Sequence, residues 1–267
     1  MTRIAVAATA PFGADVLERL AATHDVVQLL TRPDRPKGRG RALAAPPAKE
    51  VAERLGIPVA QPARLDGGVE LDGDTVVICA YGALVPDVLL ERALWLNVHP
   101  SLLPRWRGAA PVERALMAGD TETGVTIHRT IAELDAGPVA AQRAFPIAAD
   151  DDAGAVFARA AELAAELLDG VLAEAEPAFV PQSGEVTYAE KIAPADRELD
   201  LSLPARELVN RVRALSPHIG ARALVDGRPL LVWRARVGDD GAFELVEVQP
   251  EGGKRMPYDA YLRGLRS

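Results

Sequence analysis

Two side chains able to donate or exchange protons close an apolar run in Leu96-Asn97-Val98-His99-Pro100-Ser101-Leu102-Leu103-Pro104-Arg105-Trp106-Arg107-Gly108-Ala109-Ala110-Pro111. The run from Ala93 reads as a buried strand that breaks at Pro100, so its carboxyl end opens into a loop, where open α/β sheets build their sites. Strand alternation puts Asn97 and His99 on one side. An imidazole changes charge near cellular pH, and a carboxamide donates to a developing oxyanion. The pair therefore suits proton transfer in acyl-transfer chemistry. Asp135, in Leu134-Asp135-Ala136-Gly137-Pro138, can orient the imidazole if the two loops meet; the Gly-Pro step beside it equally suits a turn-forming aspartate.

The remaining candidates are weaker. His24, at a helix-to-strand junction, and His218, in a later turn, read as structural or surface residues. His128 lies on a strand near the site and is ambiguous. Cys79, within Val76-Val77-Ile78-Cys79-Ala80, reads as a buried thiol, so neither a disulfide nor a cysteine metal site is expected.

The elements that must position Asn97 and His99 follow from periodicity. Ile4–Ala8 reads as a strand, Ala14–Ala22 as a helix with Val16, Leu17, Leu20 and Ala21 on its apolar face, and Asp25–Leu30 as a second strand. This βαβ opening lacks G-x-G-x-x-G in its first turn, and no G-x-x-x-x-G-K-[ST] loop occurs, so nicotinamide and nucleoside-triphosphate readings carry little weight. Lys49–Leu55 fits a helix stopped by Gly56, Ile57–Ala60 a short strand, Thr75–Tyr81 a buried strand, and Pro111–Ala118 a helix with proline in its first turn. Gly124–Arg129 reads as a strand, Ile131–Val139 as the turn after it, and Asp152–Ala173 as a long helix. Beyond Pro177 the texture turns polar. A helix at Pro204–Leu215 and closely spaced strands at Gly220–Val225, Pro229–Val237 and Ala242–Val248 suggest a small β domain. We divide the chain into a catalytic domain over 1–181, a linker over 182–203 and a small barrel-like domain over 204–267.

Thr31 to Arg41 interleaves glycines and prolines with five cations, Arg32, Arg35, Lys37, Arg39 and Arg41. It reads as a mobile basic loop rather than a packed element. Such a loop is either a solvated surface or a grip for a phosphate backbone, and its place after a strand's carboxyl end favours the second.

Composition sets the frame. Of 267 residues, 49% are hydrophobic and 25% charged, as in ordinary globular proteins, and the net charge is −8. Residues 201–267 hold eleven Lys and Arg against eight Asp and Glu, a mildly basic tail on an acidic body that hints at a polyanion partner. With no membrane-length apolar run and no signal-peptide pattern at the start, a cytoplasmic protein is expected, and we take it to be a monomer.

Asn97-x-His99, Ser101-Leu102-Leu103-Pro104, Arg107-Gly108-Ala109-Ala110-Pro111, Gly124-Val125-Thr126-Ile127 and Leu134-Asp135-x-Gly137 together resemble the folate-dependent formyltransferases. Arg32-Pro33-Asp34-Arg35-Pro36, Gly38-Arg39-Gly40 and Thr187-Tyr188-Ala189-Glu190-Lys191 are similar to the branch that acts on methionyl-tRNA. The resemblance runs from the first strand to about Val237. It implies a doubly wound, mostly parallel α/β sheet followed by a small, incomplete OB-like barrel that helps hold tRNA.

By that resemblance the donor is 10-formyltetrahydrofolate and the acceptor methionyl-initiator tRNA, with no metal. Asn97 would hold the oxyanion, while His99, oriented by Asp135, would manage the proton. Tyr81, Gly82, Leu84, Val85, Leu134, Gly137 and Val139 would line the folate pocket. Ser101, Leu102, Leu103 and Pro104, with Arg32, Arg35, Lys37, Arg39 and Arg41, would contact the acceptor. Two departures stand out: the first turn reads Ala8-Thr9-Ala10-Pro11-Phe12, and His128 stands where the family usually has methionine. The carboxyl-terminal region is short, passing from Val237 almost directly to Phe243. A formyltransferase acting on a nucleotide-linked amino sugar, and a non-catalytic tRNA or folate binder, are the competing readings.

Overall fold

The computed structural model describes residues 2–37 and 42–266. The chain opens with β1 (Arg3–Ala8), α1 (Pro11–Thr23) and β2 (Asp25–Leu30), the expected βαβ unit. A hairpin of β3 (Arg35–Lys37) and β4 (Ala42–Ala44) precedes α2 (Pro47–Leu55), β5 (Val59–Ala60), β6 (Thr75–Cys79), α3 (Asp87–Leu90) and β7 (Leu94–His99). Then come β8 (Arg107–Gly108), α4 (Pro111–Ala118), β9 (Glu122–Arg129), β10 (Val139–Pro146) and α5 (Ala153–Ala173). After β11 (Tyr188–Ala189) and a 3-10 turn at Pro194–Arg197, the chain ends in α6 (Ala205–Leu215), β12 (Ala221–Val225), β13 (Arg228–Val237), β14 (Phe243–Pro250), β15 (Met256–Pro257) and α7 (Tyr258–Arg266).

The chain divides into two compact units: residues 1–107, 124–144 and 158–187, and residues 108–123, 145–157 and 188–267. The first is built on a seven-stranded sheet in the order β10-β9-β7-β6-β1-β2-β5. β5, β2, β1, β6 and β7 run parallel, and β9 is antiparallel to β7. Because the chain winds outward from β1 in both directions, the connections that leave the paired carboxyl ends of β1 and β6 diverge, the place where such sheets form a crevice. α1 enters this crevice closely: a Cβ on Gly13 would collide with the Cys79 carbonyl. Ala5, Ala7, Val76, Ile78, Leu89 and Trp95 pack into one core beside it, and Cys79 is buried and free.

In the second unit the order β12-β13-β14-β15 makes an antiparallel sheet. α6 supplies Leu208, Val212 and Leu215 at helical spacing, and these pack with Ala221, Ala223 and Val232 of the sheet. Each buried leucine or valine of this set contributes about 1.5–3 kcal/mol. Among the described residues the sheet is open, as the short carboxyl-terminal region implied.

Two local expectations are corrected. Within the arginine-rich segment Arg35, Pro36 and Lys37 form a strand that pairs with Ala44, Leu43 and Ala42. The hairpin's base is tied by Lys49, whose Nζ donates to both Asp34 oxygens (3.0 and 2.8 Å) and to Gln61 Oε1 (3.0 Å). The turn after β9 gives way at Val139 to a further strand, β10, which the sequence did not signal.

Candidate active site

β7 carries both leading residues, and its register explains their surroundings. Asn97 pairs with His128 on the antiparallel neighbour β9, and His99 with Thr126. Residues directly opposite in such a pair have adjacent side chains. His128, ambiguous in the sequence, therefore faces Asn97, and its Nε2 lies 3.1 Å from the amide nitrogen.

Asp135 completes the group. Its Oδ1 accepts from Asn97 Nδ2 at 3.1 Å, and its Oδ2 lies 3.7 Å from His99 Nδ1. The imidazole and carboxylate side chains are only 5% and 9% exposed. His128 Nε2 is 3.7 Å from Asp135 Oδ1. The expected meeting of the two loops thus occurs.

Hydrogen-bond chemistry assigns the tautomers. His99 Nε2 lies 2.8 Å from the Trp106 carbonyl, which can only accept, so Nε2 carries the hydrogen and Nδ1 the lone pair. His128 Nδ1 donates to the Arg129 carbonyl at 3.1 Å, leaving Nε2 to accept from Asn97. Both amide hydrogens of Asn97 are then engaged, one by Asp135 and one by His128. Burial pushes the His99 pKa below its ordinary value; Asp135 and the Trp106 carbonyl pull upward, and His128 adds to the lowering. His99 is accordingly a neutral imidazole whose Nδ1 is the atom that can take a proton.

The turn carrying Asp135 is tightly specified. Asp135 adopts a left-handed φ of +47°, and a Cβ on Gly137 would collide with the Arg129 carbonyl. Gln182 Nε2 donates to the carbonyls of Asp135 (2.7 Å) and Gly137 (2.9 Å). By composition Gln182 belongs to a polar linker, and nothing local in the sequence points to this use.

The other anticipated residues divide into scaffold and surface. Ser101 is fully buried, and its hydroxyl donates to the Arg105 carbonyl at 2.7 Å. Leu103 is buried and donates its N–H to Thr126 Oγ1, while Pro104 is buried and Leu102 half-buried. Tyr81 packs in the core, where burial raises its phenol pKa. Gly82 and Leu84 are exposed, as is Leu134, whereas Gly137 is buried and Val85 and Val139 half-buried. Arg32 Nη1 donates to the Gly82 carbonyl at 2.8 Å. Arg35 is exposed; the side chain of Lys37, and Arg39 and Arg41, lie outside the described residues. Among the described residues there is no cluster of three metal-ligating side chains and no helix long and apolar enough to cross a membrane.

Residues 2–172 match the formyl transferase family, and residues 191–242 the formyl transferase C-terminal domain. The methionyl-tRNA formyltransferase of Dechloromonas aromatica (strain RCB) is 39% identical over 293 aligned positions, covering 98% of this chain and 95% of that protein. Because 293 positions exceed the chain's 267 residues, the relative contains segments that this chain lacks. Among solved structures, methionyl-tRNA formyltransferase from Clostridium thermocellum superposes with a TM-score of 0.66 at 14% identity, over 96% of this chain and 100% of that one. An N-formyltransferase from Helicobacter canadensis, in complex with folinic acid and dTDP-3-aminofucose, gives 0.68 at 16% identity, over 90% and 89%. These two likenesses establish the fold, and the sequence matches go further: the chain belongs to the formyl transferase family, in its methionyl-tRNA formyltransferase branch.

Proposed function

We propose that the chain transfers the formyl group of 10-formyltetrahydrofolate to the α-amino group of methionyl-initiator tRNA, in the cytoplasm and as a monomer. The supporting observation is the convergence of Asn97 and His99 on Asp135, at 3.1 and 3.7 Å, in a chain of this family. In this reading His99 takes a proton from the attacking amine at Nδ1, and Asp135 stabilises the resulting charge. Asn97 turns one amide hydrogen from His128 to the oxygen that becomes negative as the amine attacks the formyl carbon. The new C–N bond forms, the bond from the formyl carbon to the folate nitrogen breaks, and the proton held by His99 passes to that nitrogen.

Folate binding is assigned to the two loops around the site. Leu84 and Leu134 are 79% and 51% exposed and offer apolar contact area. A cavity of about 390 Å³ lined by Leu90, Trp95, Ile131 and Pro138, with Asp87 and Glu91 as acceptors, has room for a heterocycle. Residues 1–181 form the catalytic domain in this scheme, and residues 204–267 help hold the tRNA.

Incubating the folded protein with 10-formyltetrahydrofolate and methionyl-initiator tRNA should yield formyl-methionyl-tRNA; no product would overturn the proposal. The alternative acceptor, a nucleotide-linked amino sugar, is favoured by the likeness to the Helicobacter canadensis enzyme and by the short carboxyl-terminal region. Preferential formylation of such a sugar in direct competition would establish it.

Arg35, Lys37, Arg39 and Arg41 are assigned to the tRNA backbone. Replacing Arg39 and Arg41 by alanine should weaken tRNA binding and lower the salt dependence of log K by about 0.7–0.9 for each phosphate that is no longer neutralised, with folate affinity unchanged. An unchanged salt slope would return these residues to a solvated surface. Arg32 is left out of the variant because its hydrogen bond to Gly82 gives it a structural use.

A further inference from the structure

We propose that Gln182 is a positioning residue for this site: its carboxamide holds the backbone of the Asp135 turn in the one conformation that aims the carboxylate at His99 and Asn97. The inference rests on the proposed formyl transfer, for which it names a residue outside the Asn97, His99 and Asp135 group.

The segment reaches the site through a non-local pairing. Val139 and Val180 form an antiparallel bridge, exchanging N–H to carbonyl hydrogen bonds of 2.7 and 2.9 Å. This lays residues 180–182 alongside the end of the Asp135 turn. From there Gln182 Nε2 donates one hydrogen to the Asp135 carbonyl and the other to the Gly137 carbonyl.

The opposite end of the amide is equally occupied. Gln182 Oε1 accepts from Arg107 Nε at 3.2 Å and Nη2 at 2.8 Å. Carbonyls only accept and a guanidinium only donates, so the amide has a single satisfactory orientation. Arg107 is buried, and its Nη1 continues to Glu133 Oε1 at 3.2 Å. The turn is thus gripped at Glu133, Asp135 and Gly137 by one connected network.

That grip has a specific task. A non-glycine residue in the left-handed region persists only where its surroundings over-determine it, and Asp135 is such a residue, at +47°. Without the two donors the turn can relax and carry the carboxylate away from His99. Gln182 bonds to backbone and to Arg107, behind the carboxylate, so it acts through Asp135.

The test substitutes Gln182→Met, which keeps the length and bulk but no donors, and reads two quantities. The first is the imidazole titration of His99 by NMR, with no substrate present. His99 is faced by the Asp135 carboxylate, by His128 and by the Trp106 carbonyl. Losing the upward pull of Asp135 should move the His99 titration to lower pH. The second is kinetics: kcat should fall by roughly 10–100-fold, as displacing a catalytic group does, with KM for tRNA within about twofold. Gln182→Glu keeps the acceptor for Arg107 but lacks donors for the carbonyls, so it should lower kcat as well. It also serves if the methionine variant does not fold. A His99 titration and kcat matching the parent protein in a folded variant would overturn the proposal. Because the titration needs no substrate, it reads the positioning even if the parent protein fails to formylate tRNA.

Discussion

His99→Ala lowers kcat/KM for formyl transfer by on the order of 10²–10⁴-fold, the usual consequence of deleting a positioned proton-transfer group. His99 is buried and neutral, its Nε2–H committed to the Trp106 carbonyl and its Nδ1 facing Asp135. Alanine removes the proton acceptor and leaves the Trp106 carbonyl without this partner. Steady-state kinetics with methionyl-tRNA provide the measurement, with thermal unfolding to show that the variant is folded; a loss below about tenfold would remove His99 from the chemistry. The pH dependence follows from the same environment. Activity requires the neutral imidazole, so the rate falls as pH drops through the His99 pKa. Burial sets that pKa below the ordinary histidine value, so the acid limb lies in the same direction. Removing the charge of Asp135 by Asp135→Asn takes away an upward influence, and the limb should move to still lower pH while the rate declines.

Gly137→Ala should cost about 10²-fold in kcat/KM, comparable to displacing a catalytic group by about an ångström. The effect is steric rather than conformational. The added Cβ would collide with the Arg129 carbonyl and come within 3.4 Å of His128 Nδ1. Arg129 also donates its N–H to the Pro138 carbonyl at 2.9 Å, so the two backbones are already joined there. To admit a methyl group they must part, carrying along Asp135 two residues upstream and disturbing the ring that faces Asn97. Circular dichroism should remain native-like while kcat collapses. An alanine variant with near-normal kinetics would show that the turn tolerates displacement.

What the chain discloses without coordinates depends on how local the determining interactions are. The strand Leu94–His99 and the shared face of Asn97 and His99 follow from alternation alone. The helices at 111–118 and 153–173 follow from periodicity and their end signals. His128 is visible in the sequence as a residue but not as a neighbour, because its placement needs the antiparallel register of two strands joined through α4. The role of Gln182 is invisible there: it lies in a polar, irregular stretch, and only the distant bridge between Val139 and Val180 brings it to the turn. The strands Arg35–Lys37 and Ala42–Ala44 are too short to show periodicity, and the neighbouring Asp34 is held by the more distant Lys49 and Gln61. Ser101 and Leu103 stand in the characteristic block, yet their hydrogen bonds knit the loop that presents Trp106 to His99. A motif names the residues that matter without separating those facing the reactants from those supporting the loop.

The double engagement of the Asn97 amide bears on selectivity toward oxygen atoms. One hydrogen of the amide nitrogen rests on Asp135 and the other on the His128 ring nitrogen. An oxygen acquiring full negative charge is a far stronger acceptor than the His128 nitrogen, and it draws the hydrogen across only as that charge develops. The amide would then contribute little to holding the donor before reaction and most at the barrier, the condition under which an interaction accelerates a step instead of merely tightening a complex.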